Sequence, residues 1–565
     1  MKKKILIGLA LLLTLSVTFF SFTRDQKNFE IAKNLDIYYT LFRELNTFYV
    51  DDINPRKLVK TSIDDMLQSL DPYTNYIPED KMEDFRFMTT GEYAGIGALI
   101  SKHKDEVVIA EPYYDFPAQK NGLKAGDIIL EVEGKATKGM STEDVSNLLK
   151  GPANKPVSIK IKRPGSKKPF KVDVVREKIA INPVPYYGML DTNTAYIRLS
   201  SFTANCSEEV KKAFLDLKTN NPEALVLDLR GNPGGLLGEA VKMVNFFVPK
   251  GQEIVSTRGK VKEWDKVYKA TEEPIDTTIR LAVLVNSGSA SASEIVTGAI
   301  QDLDRGIVVG LRTFGKGLVQ ATRNLSYNSK LKVTTAKYYI PSGRCIQALD
   351  YTHRNKDGSV GHIPDSLITE FTTQNGRKVY DGGGILPDVK IEAETLSSLS
   401  IELVTQFKIF DFATKYSNEN ESIPQPEEFS ITDNIYNQFK TFLTNSDFKY
   451  SSASQDEFEK LIKTAKAEKY YNLSESEFDA LKAKLEPNLD KDLKEFRKEI
   501  SELLEDEIVS RFYYQKGSIR AAIHDDKEMQ KTIDILHSAT TYATYFKPGT
   551  IISDKEQSSD NDKNI

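Results

Sequence analysis

A chain of 565 residues is too long for one ordinary hydrophobic core, so two to four domains are expected. With 40% hydrophobic and 28% charged residues most of it should fold, and a net charge of −5 gives no footing for a nucleic-acid partner. The two cysteines, Cys206 and Cys345, make no disulfide framework, so the fold must rest on packing.

In chain order, Lys2, Lys3 and Lys4 precede an uncharged, mostly apolar run from Ile5 to Phe22, closed by Arg24-Asp25. A positive stretch followed by a hydrophobic one marks residues 1–26 as an export signal or signal anchor. As a helix the run rises ~27 Å, barely enough for a ~30 Å hydrocarbon layer. No small-x-small cleavage site stands near Ser21-Phe22-Thr23, which favours an anchor retained in the membrane at residues 5–22.

Residues 27–90 read as a helical domain. Ile31, Leu35, Tyr38, Phe42 and Leu45 recur at spacings of three and four, and Val59, Ile63, Met66 and Leu70 resume the pattern beyond Asn54-Pro55. Residues 91–178 change to period two, with short strands at Ile96–Ile100, Val107–Ala110, Ile128–Val132, Val157–Lys162 and Phe170–Val175 and one helix over Thr142–Leu149. Residues 179–395 alternate strands with helices. Thr194–Leu199, Ala224–Leu229, Arg280–Val285 and Gly306–Gly310 are strands, the middle two nearly continuous apolar runs of the buried kind; Ser207–Thr219, Gly238–Val248 and Ser291–Leu303 are helices. That alternation predicts an α/β core with its chemistry in loops at strand ends. Residues 396–553 turn rich in lysine and glutamate, with helical spacings at Leu403, Phe407, Phe410, at Ile435, Phe439, Phe442, and at Leu493, Phe496, Ile500, Leu504. They are expected to form a C-terminal helical domain, followed by a disordered tail at 554–565.

Two glycine-dense segments follow buried strands. Arg230-Gly231-Asn232-Pro233-Gly234-Gly235 leaves backbone N–H groups uncovered and can cradle an anion or oxyanion, or serve only as a tight turn. Asn286-Ser287-Gly288-Ser289-Ala290-Ser291-Ala292-Ser293-Glu294 opens a helix. Ser291 as N-cap with Glu294 at N3 makes a capping box; the same position puts a serine oxygen near free N–H groups able to stabilise an oxyanion. None of the five histidines, His103, His353, His362, His524 and His537, sits in a catalytic or metal-binding pattern, although His362 stays open as a base. The other candidate base is Lys316, in Thr313-Phe314-Gly315-Lys316-Gly317. Desolvation between glycines and Phe314 would lower its pKa toward neutrality.

Taken together, Ser289-Ala290-Ser291-Ala292-Ser293-Glu294-Ile295, Gln301-Asp302 and Phe314-Gly315-Lys316-Gly317 with Gln320 resemble the motifs of the C-terminal processing peptidases, or tail-specific proteases, of peptidase family S41. The resemblance extends to Leu70-Asp71-Pro72-Tyr73-Thr74, to Tyr338–Arg344 and to Gly384–Asp388, and so covers about residues 30–395. It implies a multidomain α/β protein: a crotonase-like peptidase core, a PDZ domain over residues 91–178, and helical N- and C-terminal regions. It implies a serine endopeptidase without a cofactor or metal that cleaves protein tails in the bacterial cell envelope, with Ser291 as nucleophile, Lys316 as general base and Gln320 orienting the lysine. The 25-residue spacing from Ser291 to Lys316 picks that serine from its neighbours. The implied oxyanion hole is the Ala292 N–H with that of Gly234 or Gly235. The implied carboxylate-binding loop of the PDZ domain is Tyr93-Ala94-Gly95-Ile96-Gly97, and the implied partners are proteins or peptides with free C-termini. Asp302 is expected to be structural. Two other readings are an inactive PDZ-bearing periplasmic adaptor and a crotonase-fold enzyme acting on acyl thioesters. A homodimer through terminal helices is a further expectation.

Overall fold

The computed structural model describes residues 28–355, 358–392 and 395–549; the apolar run at 5–22 and the tail at 554–565 lie outside the described residues. The described residues divide into two compact units, one formed by those up to Tyr76 with Thr322–Val333, the other by Ile77–Ala321 and those from Thr334 onward.

In the first unit residues 28–48 are helical, and a second helix, Pro55–Gln68, starts where Asn54 accepts a hydrogen bond from the Lys57 N–H and Pro55 takes the first position. That start uses proline where its missing N–H is harmless. The apolar side chains of this unit stay largely in solvent: Phe48 is 75% exposed and Val50 88%.

The second unit begins its β-rich part with Glu92–Gly95, which pairs antiparallel with Glu177–Ala180 and so ties the two ends of that segment together. Between them Ala98–His103, Glu106–Pro112, Ile128–Val132, Pro156–Lys162 and Phe170–Val175 form one antiparallel sheet. In Pro156–Lys162 alternate residues Val157, Ile159 and Ile161 are fully buried, the period-two pattern of a sheet with one covered face. The helix Thr142–Leu149, capped reciprocally by Ser141 and Asp144, lays Val145 and Leu149 on that face.

The α/β part is a six-stranded sheet. Its order is β1 (Tyr186–Met189), β2 (Thr194–Arg198), β3 (Ala224–Asp228), β4 (Arg280–Val285), β5 (Ile307–Gly310) and β6 (Val389–Lys390), antiparallel between β1 and β2 and parallel thereafter. Every residue of β3 is buried, as two covered faces require. One face carries Leu225, Leu227, Val283 and Val308 against helices α1 (Cys206–Lys218), α2 (Leu237–Asn245) and α3 (Ala292–Asp302). The other carries Tyr196, Val226, Leu284 and Val309, and its cover comes from far along the chain: Met529, Ile535 and Leu536 of helix α5 (Lys527–His537). Residues 399–509 pack a core of their own around Phe412, Phe439, Leu493 and Leu504, to which α4 (Arg497–His524) contributes its first half. The lysine-rich C-terminal stretch is thus divided between a separate helical core and the second face of the α/β sheet. Cys206 and Cys345 are both free thiols.

Candidate active site

Because β3, β4 and β5 are parallel neighbours, the loops leaving their C-terminal ends emerge side by side. These are the glycine loop 229–236, the serine loop 286–291 and the lysine loop 311–317. Ser291 ends its loop with φ 56° and ψ −112°, a backbone that side chains other than glycine rarely adopt, and α3 begins at the next residue. Such strain, worth about 1–3 kcal/mol, persists only where surrounding bonds over-determine it, and nucleophiles on sharp strand-to-helix turns are a known setting for it.

The bonds in question converge on Glu294, a fully buried side chain in the first turn of α3. Its Oε2 accepts the Ser291 N–H at 2.8 Å and the Lys316 N–H at 2.9 Å. Its Oε1 accepts the Thr313 hydroxyl at 2.6 Å and the Gly315 N–H at 2.7 Å. The expected capping role accounts for only the first of these, and Ser291 lacks the extended backbone of an ordinary N-cap. Burial pushes the Glu294 carboxyl up to about 7, against the pull of its four donors. A second bridge comes from Tyr338, whose hydroxyl lies 2.7 Å from the Lys316 carbonyl oxygen and 3.2 Å from that of Ser291. Ser291 and Lys316 are both partly buried, whereas Phe314 turns outward, 48% exposed. Gln320 lies on the strand Leu318–Asn324 and donates from Nε2 to the Thr334 hydroxyl at 3.1 Å.

The glycine loop lies against the serine. A Cβ on Gly234, at φ +92°, would sit 2.4 Å from the Ala290 oxygen and 2.8 Å from the Ala292 nitrogen. No side chain fits there, so the loop's backbone reaches the N-terminus of α3 directly. The Gly234 N–H already donates to Asn232 Oδ1 at 2.9 Å, while the Phe202 N–H donates to the Gly234 oxygen and the Phe202 oxygen accepts the Leu236 N–H, which fixes the turn. Asn232 also accepts, on its main-chain oxygen, the Ala290 N–H and the Ser293 hydroxyl.

The motifs further along serve as scaffolding. Asp302 pairs with Arg344 at 2.8 Å and accepts the Ser342 N–H, as its predicted structural role requires, and Gln301 accepts a second bond from Arg344. Asp388 is held by Arg377, Gln301 and the Val308 N–H. His362 is exposed on a two-stranded hairpin opposite Leu349.

The five residues read as a carboxylate-binding loop divide between two sides. Tyr93, Gly95 and Ile96 line a cavity of about 310 Å³ with Phe87, Tyr113 and the helix residues Ser146 and Leu149. Ala94 faces a different depression, with Arg86 and Lys178. Gly97 supplies the turn: at φ +73° its Cβ would lie 2.5 Å from that of Phe116. Burial raises the pKa of the Tyr93 hydroxyl well above the phenolic range.

Sequence reasoning missed two residues here. Glu294 had a visible signal, three residues after Ser291, that capping explained too readily. Tyr338 belonged to a recognised motif, but nothing local placed its hydroxyl between two loops.

Comparison with known proteins assigns the chain to a family. The model described as "Peptidase family S41" matches residues 193–353, "PDZ domain" matches 108–163, and "Probable PDZ-protease, C-terminal helical domain" matches 399–536. The "Carboxy-terminal-processing protease" of Bartonella bacilliformis is 36% identical over 58% of this chain and 76% of its own. The "Probable CtpA-like serine protease" of Staphylococcus aureus is 30% identical over 77% of this chain and 85% of its own. Among solved structures, a photosystem II D1 C-terminal processing protease shares 30% identity over 63% of this chain and 87% of its own, at a TM-score of 0.35. The chain belongs to peptidase family S41, among its PDZ-bearing carboxy-terminal-processing proteases.

Proposed function

We propose that this protein cuts other proteins near their free C-termini by Ser–Lys catalysis outside the cytoplasm, with Ser291 as nucleophile and Lys316 as general base. The observation that carries this reading is that one carboxylate, Glu294, and one hydroxyl, Tyr338, each bind the main chains of both residues. An uncharged Lys316 amine takes the Ser291 proton as Oγ attacks the scissile carbonyl carbon. The resulting tetrahedral oxyanion rests on the Ala292 N–H at the start of α3 and on a glycine N–H. Of the two glycines Gly235 is favoured, because the Gly234 N–H is held by Asn232. Collapse breaks the C–N bond as the Lys316 ammonium returns its proton to the nitrogen, expelling the amine of the C-terminal fragment, and water, losing a proton to the same amine, then hydrolyses the acyl-enzyme. Gln320, on the strand Leu318–Asn324 that follows the lysine loop, orients the lysine. The α/β core is read as crotonase-like. The segment at residues 5–22 is read as the anchor that keeps the enzyme in the envelope, which suits extracytoplasmic work.

Recognition falls to the groove between Ala98–His103 and the helix Thr142–Leu149, where a tail adds as a strand and its carboxylate meets the N–H groups after Gly95. The apolar lining favours an apolar last residue. The exposed faces of Phe29, Leu35 and Phe48 support a homodimer through the N-terminal helices.

The test offers one unfolded peptide, with a free or an amidated C-terminus, to wild type and Ser291→Ala. Cleavage should vanish in the variant while binding of the free-ended peptide persists. Lys316→Ala and Lys316→Arg should both abolish cleavage, because arginine keeps its proton near neutral pH. Equal hydrolysis by wild type and Ser291→Ala ends the proposal. Tail binding without cleavage by wild type would favour the adaptor reading instead.

A further inference from the structure

The foot of the glycine loop is a charged cluster whose members come from two distant parts of the chain. Asp228, the last residue of β3, is fully buried and accepts from Arg198 Nη1 at 2.9 Å and from the Tyr196 hydroxyl at 2.9 Å. Arg230, the next residue but one, grips the same carboxylate through Nε at 3.0 Å and Nη2 at 2.7 Å. Its remaining terminal nitrogen, Nη1, turns away and meets Asp526 Oδ2 at 2.6 Å and Glu528 Oε2 at 2.8 Å. Both acids stand at the start of α5. Asp526 is its N-cap, the other carboxylate oxygen accepting the Met529 N–H at 3.0 Å, so the acid facing Arg230 is fixed by the helix it starts. The helix in turn is fixed by Met529, Ile535 and Leu536 on the outer face of the sheet.

From Arg230 the constraint runs a short way to the reacting groups. The Gly231 N–H donates to Asn286 Oδ1 at 2.8 Å, and that oxygen also accepts the Gly288 N–H of the serine loop at 3.0 Å. Asn232 follows, and its main-chain oxygen holds the Ala290 N–H at 3.0 Å. A guanidinium gripped from both sides cannot rotate, whereas one gripped by Asp228 alone can pivot about its own chain.

We propose that Asp526 and Glu528 are positioning residues for the glycine loop, so that the C-terminal helical region is part of the catalytic apparatus and holds the oxyanion-binding backbone through Arg230. The inference rests on the Ser291 reading above and adds to it a function for the end of the chain. Loosening the loop weakens stabilisation of the tetrahedral intermediate and leaves tail capture, which occurs at a separate groove, untouched.

The test uses the full chain and a peptide with a free C-terminus. Asp526→Asn keeps the cap oxygen, and Glu528→Gln keeps the volume. The double variant should lower kcat about ten- to a hundredfold while KM stays within about twofold. In a Ser291→Ala background it should bind the peptide as tightly as Ser291→Ala alone. Arg230→Lys, which keeps one charge but cannot span both sides, should show the same split. Arg230→Lys combined with the double variant should be no slower than Arg230→Lys alone. Rates are taken per mole of folded protein, and the single variants are read the same way if the double fails to fold. A kcat within twofold of wild type, or losses that multiply when the changes are combined, overturns the proposal. Undiminished cleavage by Ser291→Ala would instead overturn the serine mechanism on which it rests.

Discussion

Around Glu294 four donors reach one buried carboxylate, and around the tail groove a handful of half-exposed side chains leave a cavity open to solvent. The first region fixes main chain with side chains; the second, on the proposal above, offers main chain and apolar surface to a substrate tail. Catalysis must hold two loops in one relation through every turnover, which a low-dielectric polar network does at the cost of burying a charge. Recognition must accept many sequences, which backbone N–H groups and an apolar notch do without reading any side chain closely. Perturbing the two regions should therefore give different kinetic signatures.

The largest effect is expected from the close approach in the glycine loop. Gly234→Ala places a methyl against the Ala290 oxygen and the Ala292 nitrogen and demands φ +92° of a residue with a Cβ. Strain of about 1–2 kcal/mol from the backbone alone, with a shifted oxyanion donor, should lower kcat on the order of a hundredfold with little change in KM. Steady-state kinetics on a free-ended peptide measure this; a change confined to KM would place the loop in binding instead.

Glu294 sharpens the comparison through pH. Its carboxyl is raised from the ordinary 4.5 to about 7, so between those values the folded state holds a proton that the unfolded chain releases. The folded state gains from that group below about pH 4.5 and has lost the gain by about pH 7, a fall of about 3 kcal/mol as pH rises. Activity should run the other way, because only the ionised carboxylate accepts all four bonds. Urea unfolding of wild type and Glu294→Gln from pH 4.5 to 8 should show this fall in wild type alone, and wild-type kcat should rise toward neutral pH. Parallel stability curves for the two proteins would remove Glu294 as the titrating group. Glu294→Gln itself turns an amide toward two of the donors and should reduce kcat about tenfold or more at pH 8.

How much of this was legible follows from the range of each interaction. Ile128–Val132, Arg280–Val285 and the helix Thr142–Leu149 were readable to the residue, because burial on two faces or one writes itself into neighbouring positions. The strand Lys330–Tyr339 was not, since its residues are mostly half-buried and alternate only weakly. Ser291 and Lys316 were marked by motif, and the parallel pairing of β4 and β5 does bring their loops together. The bonds from Glu294 to Thr313, Gly315 and Lys316 cross about twenty residues of sequence and have no local pattern. The contact of α5 with Arg230 crosses nearly three hundred, which is why residues 396–553 looked self-contained. Ala94 is placed in the carboxylate-binding loop by resemblance to the family; alternation along the strand turns its side chain toward a different depression from the one that Gly95 and Ile96 line.

On the recognition side, Gly97→Val meets Phe116 and an unfavourable φ, and should raise KM for a free-ended peptide about tenfold while kcat stays near wild type. The smallest and most discriminating change is Tyr93→Phe. Tyr93 lines the cavity in which, on the proposal above, the end of a tail is received. If its hydroxyl competes with the tail for the loop N–H groups, the affinity of a tail is the difference between two acceptors for the same donors. Removing the weaker, neutral acceptor leaves those N–H groups without it and should tighten binding of a free-ended peptide by about three- to tenfold, the worth of one ordinary hydrogen bond. An amidated peptide gains nothing from the same change, because it brings no carboxylate to the site. Titrating both peptides into Ser291→Ala with and without Tyr93→Phe isolates the difference. Equal gains for the two peptides would mean that the hydroxyl guards the apolar notch rather than the carboxylate donors, and would move the end of the tail away from Gly97.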